Sequence, residues 1–367
     1  MVADSLDVGG AERHAVGLAN ALAAAGHQVT IACSVEGGLT VAARRAGVPV
    51  HSLGSRLVKR RVSLDFAHHV GELLDRENFD VVHAHMFASA TAAALALRSR
   101  PMPLVITEHS EASWRDERAR CWSRMAYARA AQVIAVSVGI RQRLIELDRL
   151  PPARVTVIPN ALAPTDVTGS ALDRASLAPG GGPLVGAVAR MQTEKGLRYF
   201  LEMAALVLRR VPQAFFVVVG DGPQRGELHS LAQRLGIAER VCFLGFRLDA
   251  QAIMHRLDVL VVPSLSEGTP LVVLEAMTEG VPLVATAVGG IPEQVSDGRD
   301  ALLVPPADSR ALASAVVDLL NDRARARSLA DAARWRVTVC ASYEQMLEHT
   351  LTIYSAALDM LVSGRHP

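Results

Sequence analysis

The sequence predicts an α/β protein of two Rossmann-like, doubly wound parallel-sheet domains facing a cleft. Three observations carry that prediction. Apolar runs of strand length alternate with Ala/Leu/Arg-rich helical stretches throughout, the pattern of parallel sheets covered by helices. At 367 residues the chain is long for one domain and comfortable for two. A stretch rich in Pro, Gly, Ser, Thr and Asp, Ala161–Pro183, divides the pattern into two sets and reads as the linker.

The first set opens on Met1–Leu6, which leaves room for only a very short strand before the Gly9-Gly10 turn, unless the natural chain begins upstream. A helical stretch, Ala11–Ala25, follows. Strands are then predicted at Val29–Cys33, Val81–His85, Leu104–Thr107, Val133–Val136 and Val155–Ile158. The second set has strands at Leu184–Val188, Ala214–Val219, Val241–Leu244, Val259–Pro263, Leu283–Thr286 and Ala301–Val304. Leu197–Arg210 and Pro223–Leu235 have helical composition. Ligands of such sheets bind at the carboxyl ends of the strands.

Composition narrows the function. Half the residues are apolar and a fifth charged, so large cores can form. A net charge of +1 argues against nucleic-acid binding through bulk charge. Cys33, Cys121, Cys242 and Cys340 are scattered without metal-like spacing, as in a reducing cytosol. No apolar run reaches the roughly 18–20 residues of a spanning helix, and no secretory signal is evident. The GxSxG elbow, the P-loop and a GxGxxG after the first strand are all missing, which argues against hydrolase, NTPase and dehydrogenase chemistry.

The most informative stretch is Glu267-Gly-Thr-Pro-Leu-Val-Val-Leu-Glu275. A buried strand ends at Pro263 before it, and a helix is predicted from Leu271 to Met277, closed by Gly280 and Pro282. Thr269 is placed at the N-cap and Pro270 in the first turn. A helix start offers free N–H groups and partial positive charge to a phosphate. Glu267 on the loop and Glu275 inside the helix would bracket such a phosphate. A sugar nucleotide has that layout, with sugar hydroxyls at one end, diphosphate in the middle and ribose at the other. The bland reading is a surface helix with two solvated glutamates.

Arg190 and Lys195 lie on the next most telling loop, between the strand Leu184–Val188 and a helix. Lysine occurs in this chain only at positions 59 and 195. Two cations there would neutralise a departing diphosphate; otherwise the loop is a solvated basic one. Gly9 and Gly10 let backbone approach a ligand closely. Gly220-Asp-Gly-Pro223 is either another ligand loop or a tight turn. His83, His85 and His109 stand at the carboxyl ends of predicted strands, without zinc spacing.

Together these residues resemble the retaining glycosyltransferases of family 4, whose fold is GT-B. The matching pieces are DVGGAE at 7–12, TEH at 107–109, VIPNA at 157–161, AVARMQTEKG at 187–196, VVGDGP at 218–223 and SEGTPLVVLEAMTEGVPLVATAVGGIPE at 266–293. They span nearly the whole chain in order. The resemblance implies that Gly9 and Gly10 contact the donor diphosphate region and that His109 lies beside the donor sugar. It implies Arg190 and Lys195 on the diphosphate, Glu267 on sugar hydroxyls and Glu275 on ribose. Backbone at Thr269, Pro270 and Leu271 would serve the phosphates, and Phe246 and Arg247 would lie near the base. Residues 1–165 would form the acceptor-side domain, with the C-terminal helix 343–367 packing back on it, and 166–342 the donor-binding domain. MTEG after the second glutamate departs from the small residues usual there.

The resulting expectation is a cytoplasmic, metal-independent retaining hexosyltransferase. It uses a nucleotide diphosphate sugar and no cofactor, with His109, Arg190, Lys195 and Glu267 as catalytic residues. UDP-glucose, UDP-N-acetylglucosamine and GDP-mannose all fit as donor. The acceptor is a sugar, a lipid-linked or a small-molecule hydroxyl, with cell-envelope or exopolysaccharide synthesis the leading setting and natural-product glycosylation the second. The rivals are a phosphorylase or epimerase of the same architecture and a sugar-nucleotide-binding regulatory protein. Arg56–Arg61, with four cations in six residues, and Trp114–Arg129, with five arginines among aromatics, also suggest peripheral contact with anionic lipid.

Overall fold

The architecture is that of a computed structural model, which describes residues 1–112, 114–162, 172–340 and 342–363. The chain divides into two compact units, Met1–Ala163 with Ser342–Pro367, and Pro164–Ala341.

The first unit holds strands β1 (Val2–Ala3), β2 (Ile31–Cys33), β3 (Val50–Ser52), β4 (Val82–His85), β5 (Leu104–Glu108), β6 (Gln132–Ala135) and β7 (Val155–Val157). They form one sheet in the order β3-β2-β1-β4-β5-β6-β7, every pairing parallel. The second unit holds β8 (Leu184–Val188), β9 (Phe215–Val219), β10 (Val241–Gly245), β11 (Val259–Val262), β12 (Leu283–Thr286) and β13 (Leu302–Val304). Its sheet runs β10-β9-β8-β11-β12-β13, again all parallel. Both are doubly wound α/β sheets, and strand order reverses between β1 and β4 and between β8 and β11. Those two points are where such a sheet binds its ligand.

The strands follow from composition. The inner strands β8, β9 and β11 are continuous Val/Leu/Phe/Ala/Gly runs, as burial on both faces requires. Phe200 and Phe216 meet edge to face at 6.1 Å in the fully buried centre of the second unit. In the first unit the alanine-rich helix Phe87–Ala96 is almost wholly buried, since small side chains let its neighbours pack close. The helix Tyr343–Val362 belongs to this unit and inserts Met346, Ile353 and Ala357 among Leu18, Leu22, Val105 and Ile134.

β1 spans two residues within Met1–Leu6, and one strand, β3, lies outside the predicted set. β3 reads Val-His-Ser and is a partly exposed edge, so it carries no apolar run. The stretch Ala161–Pro183 lies partly outside the described residues. Its described part contains the short helix Arg174–Leu177, tied to the second sheet by an Arg174–Asp258 ion pair of 2.5 Å. Among the described residues no helix is long and apolar enough to cross a membrane.

Candidate active site

In the second unit the switch point brings two loops together. After β8, Arg190 is exposed and Lys195 ends a short 3-10 turn, Thr193–Lys195. After β11 comes Ser264 to Pro270. The backbone N–H of Leu265 donates to the Glu194 carbonyl at 2.8 Å, stitching one loop to the other. Gly196 makes this approach possible. It is left-handed, with φ 62°, and a Cβ there would overlap the carbonyl oxygen of Pro263.

The consequence is a tight ion pair. Lys195 Nζ donates to both carboxylate oxygens of Glu267, at 2.8 and 2.7 Å, and Ser264 Oγ donates to Glu267 Oε1 at 2.6 Å. Thr286 Oγ1 in turn donates to the Ser264 carbonyl at 2.6 Å. Glu267 and Glu275 are both buried, at 8% and 3% exposure, which excludes the reading of two solvated glutamates. The helix beside them runs from Leu271 to Glu279 and ends on left-handed Gly280.

One detail differs from expectation, and two neighbouring loops take definite form. Pro270, extended at φ −70° and ψ 125°, is itself the N-cap residue, and no side chain caps this helix. Thr269 therefore stands one position outside the cap. Arg247 is held by Asp249 through two bonds of 2.7 Å, while its neighbours Phe246 and Leu248 are exposed. Gly220 and Gly222 form a tight turn against Ala189–Met191, where side chains would overlap backbone carbonyls. That loop braces the Arg190 loop, through Met191 N–H to the Asp221 carbonyl at 2.9 Å.

In the first unit, Gly9 stands at the N-cap of the helix Gly10–Ala24, following β1. His85 ends β4 and His109 follows β5. The three histidines named from sequence divide. His83 lies within β4 with both nitrogens engaged, by the Tyr354 hydroxyl at 2.6 Å and Thr107 Oγ1 at 2.7 Å. It is a structural buttress, its ring 4.2 Å from that of His85 and tilted by 32°. His85 Nδ1 and His109 Nε2 face each other at 3.2 Å.

Sequence reasoning missed His14. It sits one helical turn after Gly10, on the same helix face, and its ring meets that of His109 at 4.8 Å. The i to i+4 spacing from the Gly-Gly turn was the available signal. Burial drives His14 and His85 well below the usual imidazole range. Burial, and then the nearby His83 charge, push His109 down to about 3. All three are neutral near pH 7. Lys59, one of the four cations of Arg56–Arg61, is engaged: its Nζ lies 3.3 Å from buried Glu12 Oε1.

A buried network fixes the loop after His109. Arg115 pairs with Glu108 at 2.5 Å, and Tyr127 donates to Glu108 Oε2 at 2.7 Å. This corrects the basic–aromatic reading of Trp114–Arg129. Arg115 and Tyr127 are internal, and Trp114 packs on Phe87 at 5.2 Å with Arg60 above it. Of the aromatics in that segment only Trp122 is exposed.

Two parallel doubly wound sheets, each with its polar residues at its own switch point, are the architecture of the GT-B class. Comparison with known proteins agrees. Residues 8–165 match the model for Glycosyltransferase Family 4, and residues 182–322 that for Glycosyl transferases group 1. The chain is 32% identical over 272 residues to the alpha-D-kanosaminyltransferase of Streptomyces kanamyceticus, covering 68% of this chain and 70% of that one. It is 41% identical over 201 residues to the 2-deoxystreptamine N-acetyl-D-glucosaminyltransferase of Streptomyces fradiae, covering 52% and 47%. The chain thus spans about half the length of that second relative. HepE of Anabaena, crystallised with UDP and glucose, has the same fold, with a TM-score of 0.84 at 23% identity over 96% of this chain and 99% of that one. The chain belongs to glycosyltransferase family 4.

Proposed function

We propose that the chain transfers a hexose or N-acetylhexosamine from a nucleotide diphosphate sugar to an acceptor hydroxyl, with retention and without a metal at the leaving group. The observation that carries the reading is the part-buried Lys195–Glu267 pair beside the start of the helix Leu271–Glu279, with exposed Arg190 on the Lys195 loop. When the donor enters, Lys195 exchanges Glu267 for the diphosphate, and Glu267 turns to the sugar hydroxyls. Lys195, Arg190 and the helix start then stabilise charge that grows as the sugar–phosphate bond breaks. Glu275, inside the helix, takes the ribose. Neutral His109 lies beside the sugar and exchanges hydrogen bonds rather than charge with it. Transfer occurs on one face within an ion-pair-like state, with Glu267 assigned to the sugar hydroxyls rather than to covalent attack.

For the acceptor, the 2-deoxystreptamine in the name of one relative favours a small polyhydroxylated ring. A lipid-linked envelope acceptor is the second reading. Exposed Arg56, Arg60 and Arg61 beside exposed Leu57 and Leu64 support it, although Lys59 is engaged by Glu12. A panel of UDP- and GDP-sugars, followed by nucleotide release with soluble and lipid-linked acceptors, tests both. Acceptor-dependent release supports transfer. Release that instead requires inorganic phosphate supports a phosphorylase, and binding without release a regulatory protein.

A further inference from the structure

We propose that His14, His85 and His109 form a binding site for a zinc-class divalent transition-metal ion. Each ring offers one nitrogen, and the three lie within 4.8 Å of one another. The facing nitrogens of His85 and His109 stand 3.2 Å apart. Two ligands of a tetrahedral zinc, each about 2.0–2.1 Å from the metal, are themselves separated by about 3.3 Å. That separation equals one edge of the coordination polyhedron, and a hydrogen bond between the two rings occupies it in the metal-free chain. Rotation of the His14 ring, which lies 4.8 Å from the His109 ring, brings in the third ligand.

The surroundings select the same three residues. The facing nitrogens, His85 Nδ1 and His109 Nε2, are hydrogen-bonded to each other, so an ion seated between them displaces a single bond. His83, the fourth ring, has both nitrogens occupied and only packs, tilted by 32°, against His85. Imidazole is a borderline ligand that suits zinc, cobalt, nickel and copper, whereas magnesium and calcium prefer oxygen. Three histidines leave a fourth position for water or another ligand.

The ion is not needed for the transfer proposed above. It occupies His109, so bound metal should slow transfer, and chelator should relieve that. This consequence rests on the assignment of His109 to the donor sugar; metal binding itself does not. The test is therefore a binding experiment without turnover. Metal-free full-length chain is titrated with zinc by calorimetry and with cobalt by visible absorption. The expected result is one zinc per chain, ligand-field bands of a low-coordinate cobalt, and no comparable binding of magnesium. His14→Gln, checked for folding by circular dichroism, should weaken zinc by at least about tenfold. Because a variant at His85 can fail to fold, X-ray absorption at the zinc edge of the wild-type complex gives an independent count of imidazole ligands. Fewer than two imidazoles, or zinc affinity unchanged in folded His14→Gln, overturns the site. So does the absence of stoichiometric zinc binding.

Discussion

Lys195 and Glu267 show how a single contact can change the meaning of a residue. A lysine on a strand-to-helix loop reads as a free cation whose removal spares the fold. Here it neutralises a buried carboxylate, so its loss leaves that charge unpaired, at a cost of about 3–5 kcal/mol for a fully buried pair and less at this partly open one. Lys195→Ala should therefore lower thermal stability as well as turnover. Adding Glu267→Gln should restore much of the stability and none of the turnover. Recovery of turnover in the double variant would contradict the leaving-group role. The two glutamates separate in a second experiment. Glu275→Ala should weaken calorimetric binding of free nucleoside diphosphate, since its partner is ribose. Glu267→Gln should not weaken that affinity, because it frees Lys195 for the diphosphate; equal losses would remove the distinction.

Among the elements, the two switch-point loops after β8 and β11 depend on one glycine. Gly196→Ala forces a left-handed alanine, costing about 1–3 kcal/mol, and also collides with the Pro263 carbonyl. Gly236, at φ 70° with open space around its Cβ position, serves as the control. Gly236→Ala should cost stability alone, whereas Gly196→Ala should also abolish donor binding; equal effects on nucleotide binding would show that the loop contact is irrelevant. The element scale also shows what was legible in the sequence. Strands β8 and β12 were bounded residue for residue, because continuous apolar runs between turn residues mark strands buried on both faces. The strand–loop–helix around Glu267 was legible from Pro263, Pro270 and Gly280. Strand β3 was not, because an edge strand of Val-His-Ser needs no apolar pattern. Nor were Ser264, which reaches Glu267 through loop geometry, or His14, which meets His109 only after β1 and β5 align in one sheet.

At the scale of the whole molecule, stability should depend on pH through Asp4, which follows β1. Its carboxylate accepts bonds from Ser89 N–H at 2.8 Å and Ser89 Oγ at 2.6 Å, yet burial outweighs them and raises its pKa from 3.8 to about 6. The fold thus favours the protonated acid. That contribution is complete below about pH 4 and is lost as pH rises through about 6. Asp4→Asn keeps an acceptor for Ser89 and removes the charge. It should unfold at a higher temperature than wild type at about pH 8, by on the order of 1–3 kcal/mol, with the gap closing toward about pH 4. A gap that widened with acid would reverse the sign of the argument.

The account as a whole joins this polar chemistry to sugar transfer, and one measurement addresses it most directly. Wild type and Lys195→Ala are compared for acceptor-dependent nucleotide release from the best sugar donor, in chelator, at a temperature where both are folded. The account predicts sustained turnover by wild type in chelator and a loss of about 10²–10³ in rate for the variant. Turnover by Lys195→Ala equal to wild type, or wild-type activity that vanishes in chelator and returns with magnesium or manganese, would contradict it.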